Sequence, residues 1–236
     1  MSSPENPLNI PPHIGSLLSR LHAQSLTQEL TISSSSYRDT TPTAFDALML
    51  DKFIALEEDK CHFVYQILRM IDARTVVEAG TSFGVSTIYL SLAVGENVRD
   101  GKVRDGKDAE GKGKGRVIAT EKEGSKAIVA RRHWEEAGED VQGLIELREG
   151  DLLETLREGV EGVDLLLLDI WAPLALPTLK IVQPNLRRGA VVIADNTAIG
   201  RDRYADLLSY VHDKENGFRS LTVPYKGGLE VCVYLP

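Results

Sequence analysis

The stretch TVVEAGTSFGVST, residues 75–87, holds a short apolar run that ends in a glycine-containing turn and leads into a helical pattern. Four more apolar runs follow, each ahead of a helical stretch: RVIAT (116–120), LIELR (144–148), VDLLLLD (163–169) and AVVIAD (190–195). Buried strands that alternate with helices are typical of a parallel sheet with both faces covered. The sequence therefore predicts an α/β protein with five parallel units.

The end of the chain has a different pattern. Two apolar runs, FRSLTVPY (218–225) and LEVCVYL (229–235), are separated only by Lys226, Gly227 and Gly228. So short a connection cannot hold a crossover helix, and the two runs are therefore expected to pair as an antiparallel hairpin. We predict a Rossmann-like sheet that this C-terminal hairpin closes, with helices on both faces.

The N-terminal third shows helical spacing and no strand pattern. After a proline-rich arm, apolar residues repeat at helical spacing over residues 13–30 and again over 43–71. We predict that residues 1–72 form an arm and a helical cover, and that residues 73–236 form the ligand-binding core of the same domain. A length of 236 residues fits one α/β domain.

Residues 99–116, RDGKVRDGKDAEGKGKGR, differ from the rest of the core. Among these eighteen residues, five are glycine and eleven are charged, so the segment has little to bury. We predict an exposed, mobile insertion between the first helix and the second strand of the sheet.

Composition disfavours several classes of protein, namely nucleic-acid-binding, membrane-spanning, secreted and disulfide-rich proteins. Lys and Arg total 27 against 35 Asp and Glu, and this balance disfavours a nucleic-acid partner. No apolar run approaches the length of a membrane span, and MSSPENPLNIPPH lacks the pattern of a secretory signal. The two cysteines, Cys61 and Cys232, are too few for a disulfide framework and are expected to be core residues. We expect a cytoplasmic protein.

The first strand ends in an acidic, glycine-containing turn. Glu78 precedes Gly80 and Gly84, which let the backbone turn sharply at the edge of the sheet where such folds bind ligands. The G-x-G-x-x-G pattern of a dinucleotide site is absent, which disfavours a nicotinamide dehydrogenase. The acid favours a ligand with a cationic part, although an ordinary strand-to-helix turn explains the motif as well.

The next two strands also end in acids. Glu121 is placed to accept bonds from both hydroxyls of a ribose. Asp151 is placed either to receive the amino group of a base or to cap a helix over residues 152–158. Taken with Glu78, Gly80 and Gly84, these positions describe a nucleoside site.

The fourth and fifth strands end in oxygen-bearing side chains. Asp169 follows one strand, while Asp195 and Asn196 follow the other. In this topology the two strands are expected to be neighbours, so these side chains converge at one edge and suit Mg²⁺ or Ca²⁺. With no His or Cys nearby in sequence, zinc is disfavoured. The alternative is that all three are strand-end caps.

These motifs resemble the cation-dependent O-methyltransferases that use S-adenosylmethionine, the group of the catechol and caffeoyl-CoA O-methyltransferases. The resemblance rests on five stretches: VVEAGTSFGVST (76–87), VIATEKE (117–123), LLLLDIW (165–171), LRRGAVVIADN (186–196) and GGLEVCVY (227–234). It implies a class I methyltransferase fold, S-adenosylmethionine as cofactor and a divalent cation, with Mg²⁺ ahead of Ca²⁺ or Mn²⁺.

The resemblance also implies roles for individual residues. The metal ligands map onto Asp169, Asp195 and Asn196, and Asp169 and Glu230 are the implied catalytic residues, Glu230 as the partner of a second phenolic hydroxyl. Trp171 is the implied aromatic wall beside the substrate, although a core Trp and a solvent-facing Glu230 are equally compatible with the sequence. The implied cofactor contacts are Glu78, Gly80, Ser82, Gly84, Ser86, Glu121 and Asp151.

One position departs from the family. Ala172 occupies the place at which members usually carry a lysine that serves as the general base. Either the metal alone deprotonates the acceptor, or another group such as Lys226 serves, or the protein methylates poorly.

The sequence thus predicts a metal-dependent O-methyltransferase for a small aromatic hydroxyl acceptor of catechol type, with a homodimer left open. Two alternatives remain. One is a methyltransferase for a wobble-uridine derivative of tRNA, and the other is a cofactor-binding protein with weak or no catalysis.

Overall fold

The strands form one mixed sheet. The computed structural model describes residues 6–32, 49–105 and 115–236. The strands are β1 Thr75–Ala79, β2 Arg116–Glu121, β3 Ile145–Glu149, β4 Val163–Leu168, β5 Leu186–Asp195, β6 Phe218–Val223 and β7 Leu229–Tyr234. Their order is β3-β2-β1-β4-β5-β7-β6, in which β1 to β5 are parallel and β7 lies antiparallel between β5 and β6. The predicted fold class is confirmed.

Helices cover both faces of this sheet. They are α1 Pro12–Glu29, α2 Glu58–Met70, α3 Val85–Asp105, α4 Gly124–Ala137, α5 Glu139–Gln142, α6 Leu152–Thr155, α7 Ala172–Val182 and α8 Ala205–His212, with short 3₁₀ turns at Gln183–Asn185 and Lys214–Asn216. Side chains alternate along each strand, so Val76 packs with α1 to α4 and Val77 with α7 and α8. The described residues contain no helix with the length and apolarity needed to cross a bilayer.

The second predicted helical region is shorter than its apolar pattern indicates. The pattern predicts helix over 43–71, but α2 spans Glu58–Met70 and residues 52–57 are not helical; residues 43–48 lie outside the described residues. Side chains of α1 bind the amides of this segment, with Gln28 accepting from Phe53 at 2.6 Å and Ser25 accepting from Ala55 at 2.9 Å. Tertiary hydrogen bonds therefore replace the helical ones.

The predicted insertion at 99–116 also needs correction. Residues 99–105 continue α3, and Arg116 is already part of β2. Two contacts hold this part of the helix against the core: Asp100 pairs with Arg69, and Gly101 packs against the guanidinium of Arg74. The predicted mobility of residues 106–114 concerns positions outside the described residues.

Both cysteines lie in the core, as predicted. Cys61 and Cys232 are free thiols with 1% and 2% of their surface exposed. Burial raises the pKa of each thiol, so the reactive thiolate is scarce at neutral pH. We expect iodoacetamide to label neither cysteine in the folded protein and both after denaturation, as followed by intact-mass spectrometry. Labelling of the folded chain at the rate of a free thiol would contradict this burial.

Strand register brings the site together. Ala79 pairs with Leu168, and Leu168 pairs with Ala194, so β1, β4 and β5 end at one level of the sheet. Asp169 and Asp195 are the next residues along the chain after Leu168 and Ala194. The expectation that β4 and β5 are neighbours is confirmed.

Candidate functional site

The turn after β1 depends on two glycines. Gly80 and Gly84 have φ angles of +92° and +77°, values that side-chain-bearing residues rarely adopt. A Cβ atom on Gly80 would lie 2.1 Å from the backbone oxygen of Asp169, and one on Gly84 would lie 2.4 Å from Nε1 of Trp134. Gly80 therefore permits direct contact between the ends of β1 and β4.

Glu78 is fully buried and organises this turn. Its carboxylate accepts hydrogen bonds from the hydroxyls of Ser86 at 2.6 Å, Thr87 at 2.6 Å and Thr81 at 2.9 Å. Burial raises the pKa of Glu78, and the three hydroxyl donors oppose that rise. Two of the predicted cofactor residues, Glu78 and Ser86, are thus hydrogen-bonded to each other inside the turn.

Glu121 ties the same turn to β2. One carboxylate oxygen accepts from the backbone N–H of Ser82 at 2.7 Å, and the other accepts from the N–H of Glu123 at 2.8 Å. Burial raises the pKa of Glu121, while these amides and the Lys126 ammonium oppose the rise. The strand-end acid and the predicted Ser82 position therefore lie side by side.

Asp151 acts as a helix cap. Its side chain accepts from the N–H of Leu153 at 2.9 Å at the start of α6. The helix ends at Thr155 rather than at the predicted residue 158. The capping interpretation is confirmed, and contact with a base stays a prediction.

A narrow cleft lies at this end of the sheet. It is bordered by the β1 turn, by Asp169 and by residues 54–56 from the segment that precedes α2. Phe53 of that segment stacks on Phe83 of the turn, with ring centroids 4.5 Å apart. The sequence pattern does not indicate this wall, because it predicts a helix for the segment.

A lysine that the sequence analysis missed lies at the acidic end of β5. The Nζ atom of Lys60 is 2.6 Å from Oδ1 of Asp195 and 2.8 Å from Oε2 of Glu57, and the Lys60 side chain has no exposed surface. Lys60 shares the buried face of α2 with Val64 and Leu68. A charged residue at helical spacing among these apolar positions is a signal that could have identified it.

The charged side chains near the ends of β4 and β5 shift one another's pKa values. Burial raises the pKa of Asp195 to about 6, although Lys60 opposes the rise. Burial and then the nearby Asp195 carboxylate raise the pKa of Asp169 well above its ordinary value. Burial would lower the pKa of Lys60, but Asp195 and Glu57 raise it overall, so the side chain is an ammonium at neutral pH.

Asn196 is oriented by its neighbours. Its amide nitrogen donates to Oδ2 of Asp195 at 2.9 Å. Its amide oxygen faces Gly227, where a Cβ atom would lie only 2.3 Å away. Both carboxylate oxygens of Asp195 therefore accept from protein donors, and the Asn196 oxygen lies against the β6–β7 turn.

This arrangement does not fit the divalent cation that the resemblance implies. A divalent cation binds oxygen atoms at about 2.0–2.6 Å. At Asp195 it would share the carboxylate with the Lys60 ammonium, and two cations at that separation repel. In the described ranges no three His, Cys, Asp or Glu side chains form a group suited to a metal ion. Asp169, Asp195 and Asn196 lie at neighbouring strand ends as predicted, but Asp195 binds the Lys60 ammonium and the Asn196 amide.

Glu230 lies on the other face of the sheet from Asp195. Residues paired directly across antiparallel strands share a face, so Asp195 goes with Leu229 and Glu230 with Ala194. The buried Glu230 carboxylate binds His212 at 2.8 Å and Thr222 at 2.5 Å. These contacts hold it away from the acidic cleft, and its solvent-facing alternative is wrong.

The remaining predicted residues lie around the start of α7. Trp171 precedes Ala172, the first residue of that helix, and its ring contacts the Arg203 guanidinium at 5.7 Å. Lys226, a suggested replacement base, is 78% exposed and lies 3.8 Å from Glu29 and 4.0 Å from Glu57. Contact of Trp171 with a substrate stays a prediction.

Comparisons with known proteins identify the family. Residues 77–197 match the family described as "Methyltransferase domain". The chain is also 30% identical over 158 residues to the catechol O-methyltransferase of Mycobacterium tuberculosis. That match covers 66% of this chain and 63% of the relative, somewhat less than two thirds of the relative's length.

Solved structures share the fold. A cofactor-bound protein from MTB has a TM-score of 0.68 at 20% identity, covering 99% of both chains. An O-methyltransferase from Bacillus cereus in complex with SAH has a TM-score of 0.63 at 18% identity, covering 91% of this chain and 99% of that one. The family assignment made from the sequence motifs is confirmed, and the chain belongs to the methyltransferase-domain family.

Proposed function

We propose that this chain is an S-adenosylmethionine-dependent O-methyltransferase whose acceptor is a small aromatic hydroxyl compound of catechol type. One observation carries the proposal. The proposal is supported by the close approach of Gly80 to Asp169, because a turn suited to a nucleoside and a strand end suited to a hydroxyl acceptor then lie side by side. The similarity to a catechol O-methyltransferase supports the choice of acceptor.

The residues at the strand ends fit this cofactor. Glu121 offers a carboxylate for the two ribose hydroxyls, and the left-handed glycines bring the backbone close to the ligand. When bound, S-adenosylmethionine supplies a methyl group on a positively charged sulfur. The acidic surroundings of Asp169 and Asp195 are compatible with that charge.

The main contribution of the protein to the reaction is to position the acceptor oxygen against the methyl group. An acceptor oxygen forms a bond to the methyl carbon as the carbon–sulfur bond breaks, and that electron pair leaves with sulfur. The hydroxyl proton passes to solvent. Holding the oxygen in line with the methyl group supplies most of the acceleration, and the cleft walls at residues 54–56 and at Asp169 provide that alignment. The implied divalent cation takes no part in this scheme, because Lys60 already binds Asp195.

The proposal is tested by incubating the protein with S-adenosylmethionine and a panel of phenols and catechols. We expect one or more acceptors to gain a methyl group, as detected by mass spectrometry. SAH should bind with micromolar affinity in isothermal titration. Binding of SAH without any methylated product would favour a cofactor-binding protein. Binding of NAD without SAH would contradict the proposal.

Glu121 provides a sharper test of the cofactor site. Glu121→Ala should weaken SAH binding by about 1.5–3 kcal/mol, because two ribose hydroxyls lose a charged acceptor. Glu149→Ala is the matched control, since Glu149 ends the neighbouring strand but is exposed and pairs with Arg131. Equal SAH affinities for the two variants, measured by titration, would show that Glu121 does not bind the ribose.

A further inference from the structure

Lys60 is a fully buried charge that binds Asp195 and lies close enough to Asp169, a residue that borders the cleft, to influence its pKa. Burying an ammonium is costly unless carboxylates compensate it, and Lys60 has two, on Asp195 and Glu57. Asp195 was expected to bind a metal, and it binds an amine of this chain instead. A buried ion pair often contributes little to stability compared with apolar packing, so its position next to the cleft residue Asp169 suggests a role in function.

The position of Lys60 is fixed from both ends. Lys60 lies in the first turn of α2, and Asp195 holds its amine from the end of β5. Glu57 contacts the same amine and also approaches Lys226 at the surface, 4.0 Å away. Negative and positive side chains therefore alternate from Asp195 through Lys60 and Glu57 to Lys226 at the surface. This series of ion pairs holds the buried ammonium in one place.

We propose that the Lys60 ammonium supplies the fixed positive charge that holds the acceptor oxygen, so that methyl transfer in this chain needs no divalent cation. This inference rests on the proposed function. An ammonium has three N–H donors, and Asp195 and Glu57 take two of them. The third donates to the acceptor oxygen and stabilises its negative charge as the proton leaves to solvent.

The same assignment accounts for Ala172. The sequence resemblance implies a lysine at this position, and Ala172 is the first residue of α7. In this chain a lysine approaches Asp195 from α2 instead. A positive charge at the acceptor site is thus retained, although another element of the fold provides it.

Metal binding tests the inference without any acceptor. With Mn²⁺ as the probe, followed by electron paramagnetic resonance, the natural protein should bind no stoichiometric ion. Lys60→Ala should gain one site, because Asp195 loses its ammonium partner while keeping its oxygens. Lys60→Ala combined with Asp195→Asn should lose that site again. Tight Mn²⁺ binding by the natural protein that Asp195→Asn abolishes would overturn the inference.

Activity provides the second readout, on whichever acceptor the panel identifies. The natural protein should keep its rate in EDTA, and added Mg²⁺ should not increase it. Lys60→Met should lower kcat by about 100–1000-fold with little change in SAH affinity, as expected when a stabilising charge is lost. Lys60→Arg should recover part of the rate. The pH at which kcat/KM reaches half its maximum should rise in Lys60→Met, because the acceptor hydroxyl then ionises less readily.

The controls separate this inference from the proposed function. Lys214→Met removes an exposed lysine at the far end of the sheet and should leave the rate unchanged. A natural enzyme that loses activity in EDTA and regains it with Mg²⁺ would overturn the role of Lys60 while supporting O-methylation. Failure of the natural protein to methylate any acceptor, with or without metal, contradicts the proposed function, and the Mn²⁺ result then still decides whether Lys60 occupies the cation position.

Discussion

Gly80→Ala is expected to abolish SAH binding and to lower the free energy of unfolding by several kcal/mol. An alanine held at positive φ costs about 1–3 kcal/mol by backbone strain. Its Cβ would also meet the Asp169 carbonyl oxygen at 2.1 Å, and backbone at that distance must move. Overpacking of this kind adds about 1–3 kcal/mol. The displacement would separate the β1 turn from the acidic end of β4.

Substitutions at two other glycines separate the cost of backbone strain from the cost of the steric clash. Gly138 has φ +104°, and a Cβ atom there would meet nothing within 4 Å, so Gly138→Ala carries strain without a clash. Gly15 lies in α1, also with open space and without positive φ, so Gly15→Ala should stabilise the helix by about 1 kcal/mol. Denaturant unfolding and SAH titration of the three variants provide the comparison. A Gly80→Ala protein no less stable than Gly138→Ala would show that the β1–β4 contact is not tight.

The strands were predictable because each carries a strong local pattern. Most strand boundaries agree with the apolar runs to within a residue or two, and β5 begins four residues earlier, at Leu186, where it pairs with Val163. The acids and glycines at the strand ends were predictable for the same reason. Parallel topology fixes the edge at which they meet.

Residues 52–57 and Lys60 could not be predicted in the same way. The backbone amides of Phe53 and Ala55 bind side chains of α1 that are more than twenty residues earlier in the chain. The ammonium of Lys60 binds Asp195 across 135 positions. Contacts at such separations leave no trace of the partner residue in the local sequence. The helical spacing of Lys60 with Val64 and Leu68 indicates burial, but nothing near it in the chain indicates Asp195. The contact between Lys60 and Asp195 is also the reason why the predicted metal site does not suit a divalent cation.

Glu78→Met is expected to destabilise the fold and to disorganise the cofactor turn. The substitution keeps the volume of the side chain but removes the acceptor of three buried hydroxyls, those of Thr81, Ser86 and Thr87. Leaving a buried donor unpaired costs about 1–3 kcal/mol. Part of that cost is offset because a buried carboxylate is also removed, so we expect a net loss of about 3 kcal/mol and no measurable SAH binding.

Glu78→Gln and Glu154→Met are the matched variants for this prediction. Gln keeps one carbonyl acceptor, and its amide donates to a hydroxyl that rotates, so its loss should be smaller than that of Met. Glu154 is exposed and pairs with Arg157 three residues on, so Glu154→Met should change stability by less than about 0.5 kcal/mol. Equal stabilities of Glu78→Met and Glu154→Met in urea unfolding would show that the three hydroxyl contacts do not hold the turn.

The pH dependence of these variants has a defined sign. Burial raises the pKa of Glu78 above its ordinary value of 4.5, so the folded state holds this proton more tightly than the unfolded state. The stability contributed by Glu78 is therefore full below pH 4.5 and falls as the pH rises through the raised pKa. Glu78→Gln has no such proton to lose. Its stability relative to the natural protein should therefore rise with pH above 4.5. Melting temperatures of both proteins, measured from acid to neutral pH, provide the test. A difference that stays constant with pH would mean that Glu78 titrates at its ordinary pKa.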